Sequence, residues 1–383
     1  MAIHFTRDEF AERKKRLIAA LTKRDLDGLL LFHQESMYWL TGYDTFGFCF
    51  FQCLAVMVDG RMALLTRAPD LRQARHTSII EDIRIWTDRK DANPARQLRD
   101  LIHSLGGAGK RLGIEYDSYG LVAANGKAVD TAFSGFAELI DASDIVTGLR
   151  AVKSDAEIAY VRRAAMLCDQ SYQAALDAIA PQADEGDILA AMHTAVFRNG
   201  GDYPANEFII GSGRDALLCR YKSGRRKLSA YDQITLEFAG SYRHYHAAMM
   251  ATVCVGAASE RHVGYFQVAS EALAACVDQM RPGHCAGDVF AAHARVLDEH
   301  GLAAHRLNAC GYSLGAKFAP SWMDWPMFYE ENDWVLQPNM VMFAHMILMD
   351  SVSETAMCLG RSYLITDLGP TCLSEAPLDL VVK

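Results

Sequence analysis

A few side chains in the second half of this 383-residue chain have the types and surroundings that chemistry needs. Glu237 stands inside Ile234-Thr-Leu-Glu-Phe238, a short, apolar, β-branched run. A carboxylate there is costly to desolvate unless a cation or hydrogen-bond donors meet it, so it marks a site. His345 sits in Val341-Met-Phe-Ala-His-Met-Ile-Leu348, where a lone histidine is more often a satisfied core residue than a reactive one. Tyr312 is flanked by glycines in Gly311-Tyr-Ser-Leu-Gly315 and suits packing or hydrogen-bond donation equally. Arg220 is either a surface residue or a guanidinium able to hold a carboxylate through two parallel bonds. His244 and His246 share one face beside Tyr242, an H-x-H pair that can line a pocket or hold a metal. Glu207, just before Phe208-Ile-Ile210, is a weaker acid candidate.

These residues need a frame. Ile234–Phe238 and Ala247–Val255 read as two strands of a hairpin, with Ala239-Gly240-Ser241 as its turn. Phe208–Ile210 and a strand-rich carboxyl end extend the sheet. Helices are expected from a Ser154/Glu157 capping box to Ile179, then over 187–198, 260–280 and 287–300. The first part of the chain alternates helices with short strands, beginning with a helix capped by Thr6 and another opening at Asn93-Pro94. The joint falls at Leu149-Arg-Ala-Val-Lys153. Two domains are expected, 1–150 and 151–383, in an α/β (α+β) class.

Composition narrows the function. A hydrophobic share of 51% fits a packed core, and a net charge of −9 argues against nucleic acid or an anionic membrane as the main partner. Arg225, Arg226 and Lys227 read as a solvated basic loop. No stretch approaches the length of a membrane span, the opening residues are too polar for a signal peptide, and ten cysteines lack any C-x-x-C pair. A cytoplasmic protein with free thiols is expected.

The run from Tyr231 to Thr252 resembles the metal-binding hairpin of the pita-bread family, which joins methionine aminopeptidases, proline dipeptidases and creatinases. Registering that family's tail on Ala248-Met-Met-Ala-Thr252 places its first metal aspartate at Glu237 and its second at Ala248. Gly311–Gly315 resembles the loop that supplies a metal histidine, with Tyr312 in its place. Pro338-Asn-Met-Val-Met-Phe-Ala-His345 resembles a strand ending in a metal glutamate, where this chain has His345. Gly360-Arg-Ser-Tyr-Leu-Ile-Thr366 resembles the closing strand, with Gly360 at its glutamate. Paired divalent cations need several anionic oxygens, and these positions offer one carboxylate and one imidazole. The resemblance therefore implies no metal and no other cofactor, as in creatinases. Ile3–Phe10, Gln34–Phe48 and Thr66–His76 resemble cyclic-amidine hydrolases of that metal-free branch. Arg220–Leu228 sets Arg220 near the creatinases' catalytic histidine.

The resemblance implies a creatinase-like amino-terminal domain, a pita-bread catalytic domain and a small-molecule substrate carrying a delocalised cation and a carboxylate. Glu237 would be nucleophile or general base, His345 the proton carrier, Tyr312 the donor that orients it and Arg220 the carboxylate anchor. Tyr242, His244, His246 and Glu207 would line the pocket. A homodimer is expected, with Phe46–Phe51 supplying apolar surface. Two alternatives stand beside this reading, a creatinase-like amidinohydrolase and a catalytically inactive binding module.

Overall fold

The computed structural model describes residues 3–220 and 226–383. The expectation for Arg225, and the resemblance over 221–225, lie outside the described residues. The chain divides into two compact units, Met1–Arg150 and Ala151–Lys383.

In the first unit, strands β1 (Gly28–Leu31), β2 (Cys53–Met57), β3 (Met62–Arg67), β4 (Asp82–Trp86), β5 (Arg111–Ile114) and β6 (Glu138–Asp141) form a mixed sheet in the order β4-β3-β2-β1-β5-β6. Helices cover it and two apolar clusters fill it. The caps act as the sequence implies: Thr6 accepts from the Glu9 amide and Asn93 from the Arg96 amide. Phe46 is 80% exposed, but Phe51 belongs to the core, so only part of the 46–51 stretch is surface.

In the second unit, β7 (Ile209–Ser212), β8 (Asp232–Tyr242), β9 (Tyr245–Val255), β10 (Ala309–Ser313), β11 (Asp324–Tyr329), β12 (Val341–Asp350), β13 (Thr355–Thr366) and β14 (Gly369–Cys372) build an antiparallel sheet. Its order is β11-β10-β12-β13-β9-β8-β7, with β14 paired to β13. Helices Asp155–Ala178, Glu185–Arg198, Glu260–Gln279 and Ala286–Glu299 accompany it, the first opened by the Ser154/Glu157 capping box.

The hairpin's turn differs from the expected one. Strand β8 runs on through Ala239-Gly240-Ser241, and the chain reverses at Arg243-His244, both at positive φ as a two-residue I′ turn requires. Gly240 serves a different need. A Cβ there would lie 2.0 Å from the Ala164 carbonyl oxygen and 2.5 Å from the Cys168 amide. The glycine lets the helix Asp155–Ala178 cross β8 at backbone contact. Arg226 is also not a free loop cation: it pairs with buried Asp232 at 2.6 Å and bonds Ser212.

Gly240→Ala should therefore lower stability by about 1–3 kcal/mol or more. Gly264→Ala, in a helix with nothing within 4 Å of the new methyl, should be neutral or raise it by up to ~1 kcal/mol. Denaturant unfolding of both variants checks the contrast.

Candidate active site

Sheet register brings the distinctive residues together. Glu237 pairs with Met250, Met250 with Gly360, and Gly360 with His345, in one row across four strands. The neighbouring row on the same face holds Tyr312 opposite Phe343, Phe343 opposite Ser362, and Ser362 hydrogen-bonded through its hydroxyl to the backbone of Ala248. Directly paired residues share a sheet face. All five positions carried over from the family's ligand set thus lie in two adjacent rows on one face.

A cavity of about 340 Å³ opens on that face. Glu237, Tyr312, His345 and Arg220 line it, with Cys219 and Asn308 as further polar neighbours. Met323, Met327, Leu307 and Ile347 give it apolar walls, the two methionines being adaptable in shape. Arg220 is exposed at its edge, on the segment after the short turn Gly213–Leu217.

Burial pushes the Glu237 carboxyl up to about 7, against the opposing pull of the Arg220 charge and a hydrogen bond from Tyr312. The Tyr312 hydroxyl donates to Glu237 Oε1 at 3.3 Å and is itself pushed well above the usual phenol range, first by burial and then by Glu237. His345 goes the other way. Burial, then the neighbouring His293 and Arg220, lower it to about 3, so its imidazole is neutral at physiological pH. Its Nδ1 is buried and has no hydrogen-bond partner among the described residues. The proton carrier expected at His345 is therefore a neutral imidazole before substrate arrives, because a second charge cannot be desolvated cheaply beside Arg220.

The positions do not fit a paired metal centre. Ala248 offers a methyl group and Tyr312 a protonated phenol. Gly360 has no room for a ligand: a Cβ there would lie 2.7 Å from the Phe343 ring and 3.2 Å from the His345 Cβ. Among the described residues no group of three or more His, Cys, Asp or Glu side chains is placed to hold a metal ion.

Four expected lining residues are elsewhere. His246 lies on the same face as Met250 but four residues along the strand, about 13 Å at strand rise. There its Nε2 accepts from the Ala205 amide at 3.0 Å, and burial lowers it to about 3. His244 occupies the turn and stacks on Phe318 with centroids 4.1 Å apart. Tyr242 packs edge-on against Tyr160. Glu207 is exposed, and none of the four lines the cavity. Sequence reasoning missed Trp322, whose indole Nε1–H donates to the Tyr312 oxygen at 2.9 Å. No spacing or motif marks it, since a loop path brings it there.

The sequence profile of metallopeptidase family M24 matches residues 159–367, and that of the creatinase/prolidase N-terminal domain matches residues 13–152. The chain belongs to family M24. This M24 chain is 26% identical to an ectoine hydrolase from Halomonas elongata, over 100% of this chain and 99% of that one. It is 22% identical to an Xaa-Pro dipeptidase from Pyrococcus horikoshii, over 87% and 89% of the two chains. The solved structure of an Xaa-Pro dipeptidase from Bacillus anthracis superposes with a TM-score of 0.85 at 20% identity, covering 98% of this chain and 100% of that one, which establishes the pita-bread fold. The chain is a member of a hydrolase family with the creatinase/prolidase arrangement of domains. No helix among its described residues is long and apolar enough to cross a membrane.

The raised Glu237 has a consequence for stability in this M24 chain. Its proton is held more tightly in the fold than in the unfolded chain, so the cost of the carboxylate is absent below about pH 4.5 and complete above about pH 7. Glu237→Gln, a mimic of the protonated form, should melt at higher temperature than wild type at pH 8 and at nearly the same temperature at pH 4. Thermal unfolding of both proteins at the two pH values checks this, and a less stable variant at pH 8 would contradict it.

Proposed function

We propose that this chain hydrolyses ectoine, or a closely similar cyclic amidine such as 5-hydroxyectoine, to an N-acetylated 2,4-diaminobutyrate without a metal or other cofactor. One observation carries the reading: a carboxylate raised to about 7, a neutral imidazole and a guanidinium face one small cavity on a sheet whose metal-ligand positions have been replaced. The full-length similarity to an ectoine hydrolase supports the choice of substrate.

The substrate is a zwitterion, an amidinium and a carboxylate on one small ring. Glu237 lies at the amidinium and Arg220 at the carboxylate. Ionised Glu237 either takes a proton from a water attacking the amidine carbon or attacks that carbon itself. In the first course the water oxygen bonds to carbon, and Glu237 returns the proton to the ring nitrogen as the carbon–nitrogen bond breaks. In the second, a Glu237 oxygen bonds to the amidine carbon, and the ring carbon–nitrogen bond breaks as the departing nitrogen takes the proton that the retained nitrogen gives up. Water then attacks the Glu237 carboxyl carbon, leaving the former Glu237 oxygen in the product amide and returning a proton to the retained nitrogen. Solvent ¹⁸O incorporated into the Glu237 side chain during turnover identifies the second course. Neutral His345 hydrogen-bonds the ring N–H or the new hydroxyl and needs no net charge. A homodimer is part of the proposal, supported by exposed Phe46 and Phe50.

Incubating purified protein with ectoine, creatine and a proline dipeptide tests the reading. Product is expected from ectoine; turnover of creatine alone would favour an amidinohydrolase, and no product from any would favour a binding module. Glu237→Gln should cost at least ~10²-fold in kcat, the scale of a lost general base.

Arg220 gives a separate prediction. As an anchor bound equally in ground and transition states, its loss should appear in KM with kcat less affected. Arg220→Ala should raise KM roughly ten-fold or more and Arg220→Lys less, on the scale of a charge-assisted bond. A ring analogue without the carboxylate should bind equally to wild type and Arg220→Ala. Additive losses from the two changes would show that Arg220 does not touch that group.

A further inference from the structure

Trp322 is not part of the cavity wall, yet it is bonded to it. Its indole Nε1–H donates to the Tyr312 oxygen at 2.9 Å, and the Tyr312 hydroxyl donates to Glu237 Oε1 at 3.3 Å. Indole is a donor only, so the direction of the first bond is fixed. The phenol oxygen must accept there, and its single proton is left for Glu237. If the hydroxyl turned away, its proton would meet the indole N–H head-on.

The indole has little freedom to release this arrangement. Trp322 is 1% exposed. Its backbone amide donates to Asn206 Oδ1 at 3.1 Å. Its ring lies 6.3 Å from that of His246, which is itself tied to the Ala205 amide. Two successive residues, Ala205 and Asn206, thus anchor the support of a bond that ends on Glu237.

We propose that Trp322 is a positioning residue that locks the Tyr312 hydroxyl as a permanent donor to Glu237. The inference rests on the role proposed above for Glu237 and adds the group that governs its ionisation. A donor on the phenol oxygen strengthens the bond that the phenol makes in turn. That bond favours the carboxylate over the carboxylic acid and so opposes the effect of burial. With the indole N–H removed, the hydroxyl can reverse and accept from a protonated Glu237, which favours the acid instead. Loss of one N–H that touches no substrate should therefore move the ionisation of Glu237 upward.

The test replaces Trp322 with 3-benzothienylalanine, which keeps the two-ring shape and puts sulfur where the N–H was. Tyr312→Phe and the combination of both changes complete the cycle. The reading is the infrared band of the protonated carboxyl against pH without substrate, assigned to Glu237 by difference from Glu237→Gln. The midpoint should rise by roughly half to one pH unit in the analogue, the size of one lost hydrogen bond. It should rise at least as far in Tyr312→Phe, and no further when the two are combined. The acid limb of the kcat/KM profile should move with it. An unchanged midpoint in the analogue, or the same rise with and without the Tyr312 hydroxyl, would overturn the proposal. Trp322→Phe gives the same readings if the analogue does not fold. The infrared midpoint needs no turnover, so a protein inactive on ectoine would end the functional reading and still decide this one.

Discussion

A carboxylate on the face of an apolar sheet has to be met by positive charge or by donors, and the second unit is arranged around that need at Glu237. Two carboxylates 4 Å apart repel by about 4 kcal/mol at an effective dielectric near 20. A set of acids is therefore tolerable only while cations sit among them. This chain retains the strands and the register of such a set and keeps a single acid. Ala248, Tyr312, His345 and Gly360 occupy the other positions, and the Phe343 ring fills the room beside Gly360. What meets Glu237 is a phenol proton and a guanidinium.

One cavity thus carries an acid and a guanidinium, the pairing that a zwitterion of the proposed kind would need, with Arg220 against its carboxylate and Glu237 against its cation. His345 stays uncharged because burial and two cationic or basic neighbours make a further proton unfavourable. A carboxyl near 7 can be a base in one step and an acid in the next, as the proposed hydrolysis would require. The apolar walls from Met323, Met327 and Ile347 limit water around Glu237 and His345, whereas Arg220 at the edge stays exposed.

Much of this was legible in the sequence where a signal was local. Glu237 stood out because an isolated acid breaks an apolar strand, and Ser154 with Glu157 announced a helix start. Gly240 was misread because a glycine between small residues looks like a turn, whereas here it admits a helix backbone from elsewhere in the chain. The turn itself is made by Arg243-His244, which tertiary context holds at positive φ. His244 and His246 were expected to share one face, but His244 sits in the turn and only His246 lies on the strand, four residues from Met250. Neither the neutral state of His345 nor the link from Trp322 to Tyr312 could be read, because both depend on neighbours brought in by distant segments.

In the proposed function an acid–imidazole–guanidinium site does the work in a metallopeptidase frame. The most direct test is ectoine turnover by protein whose metal content has been measured and depleted by exhaustive chelation. Undiminished turnover is expected at well under one ion per chain. Turnover lost on chelation and restored by stoichiometric manganese, cobalt or zinc would contradict the proposal.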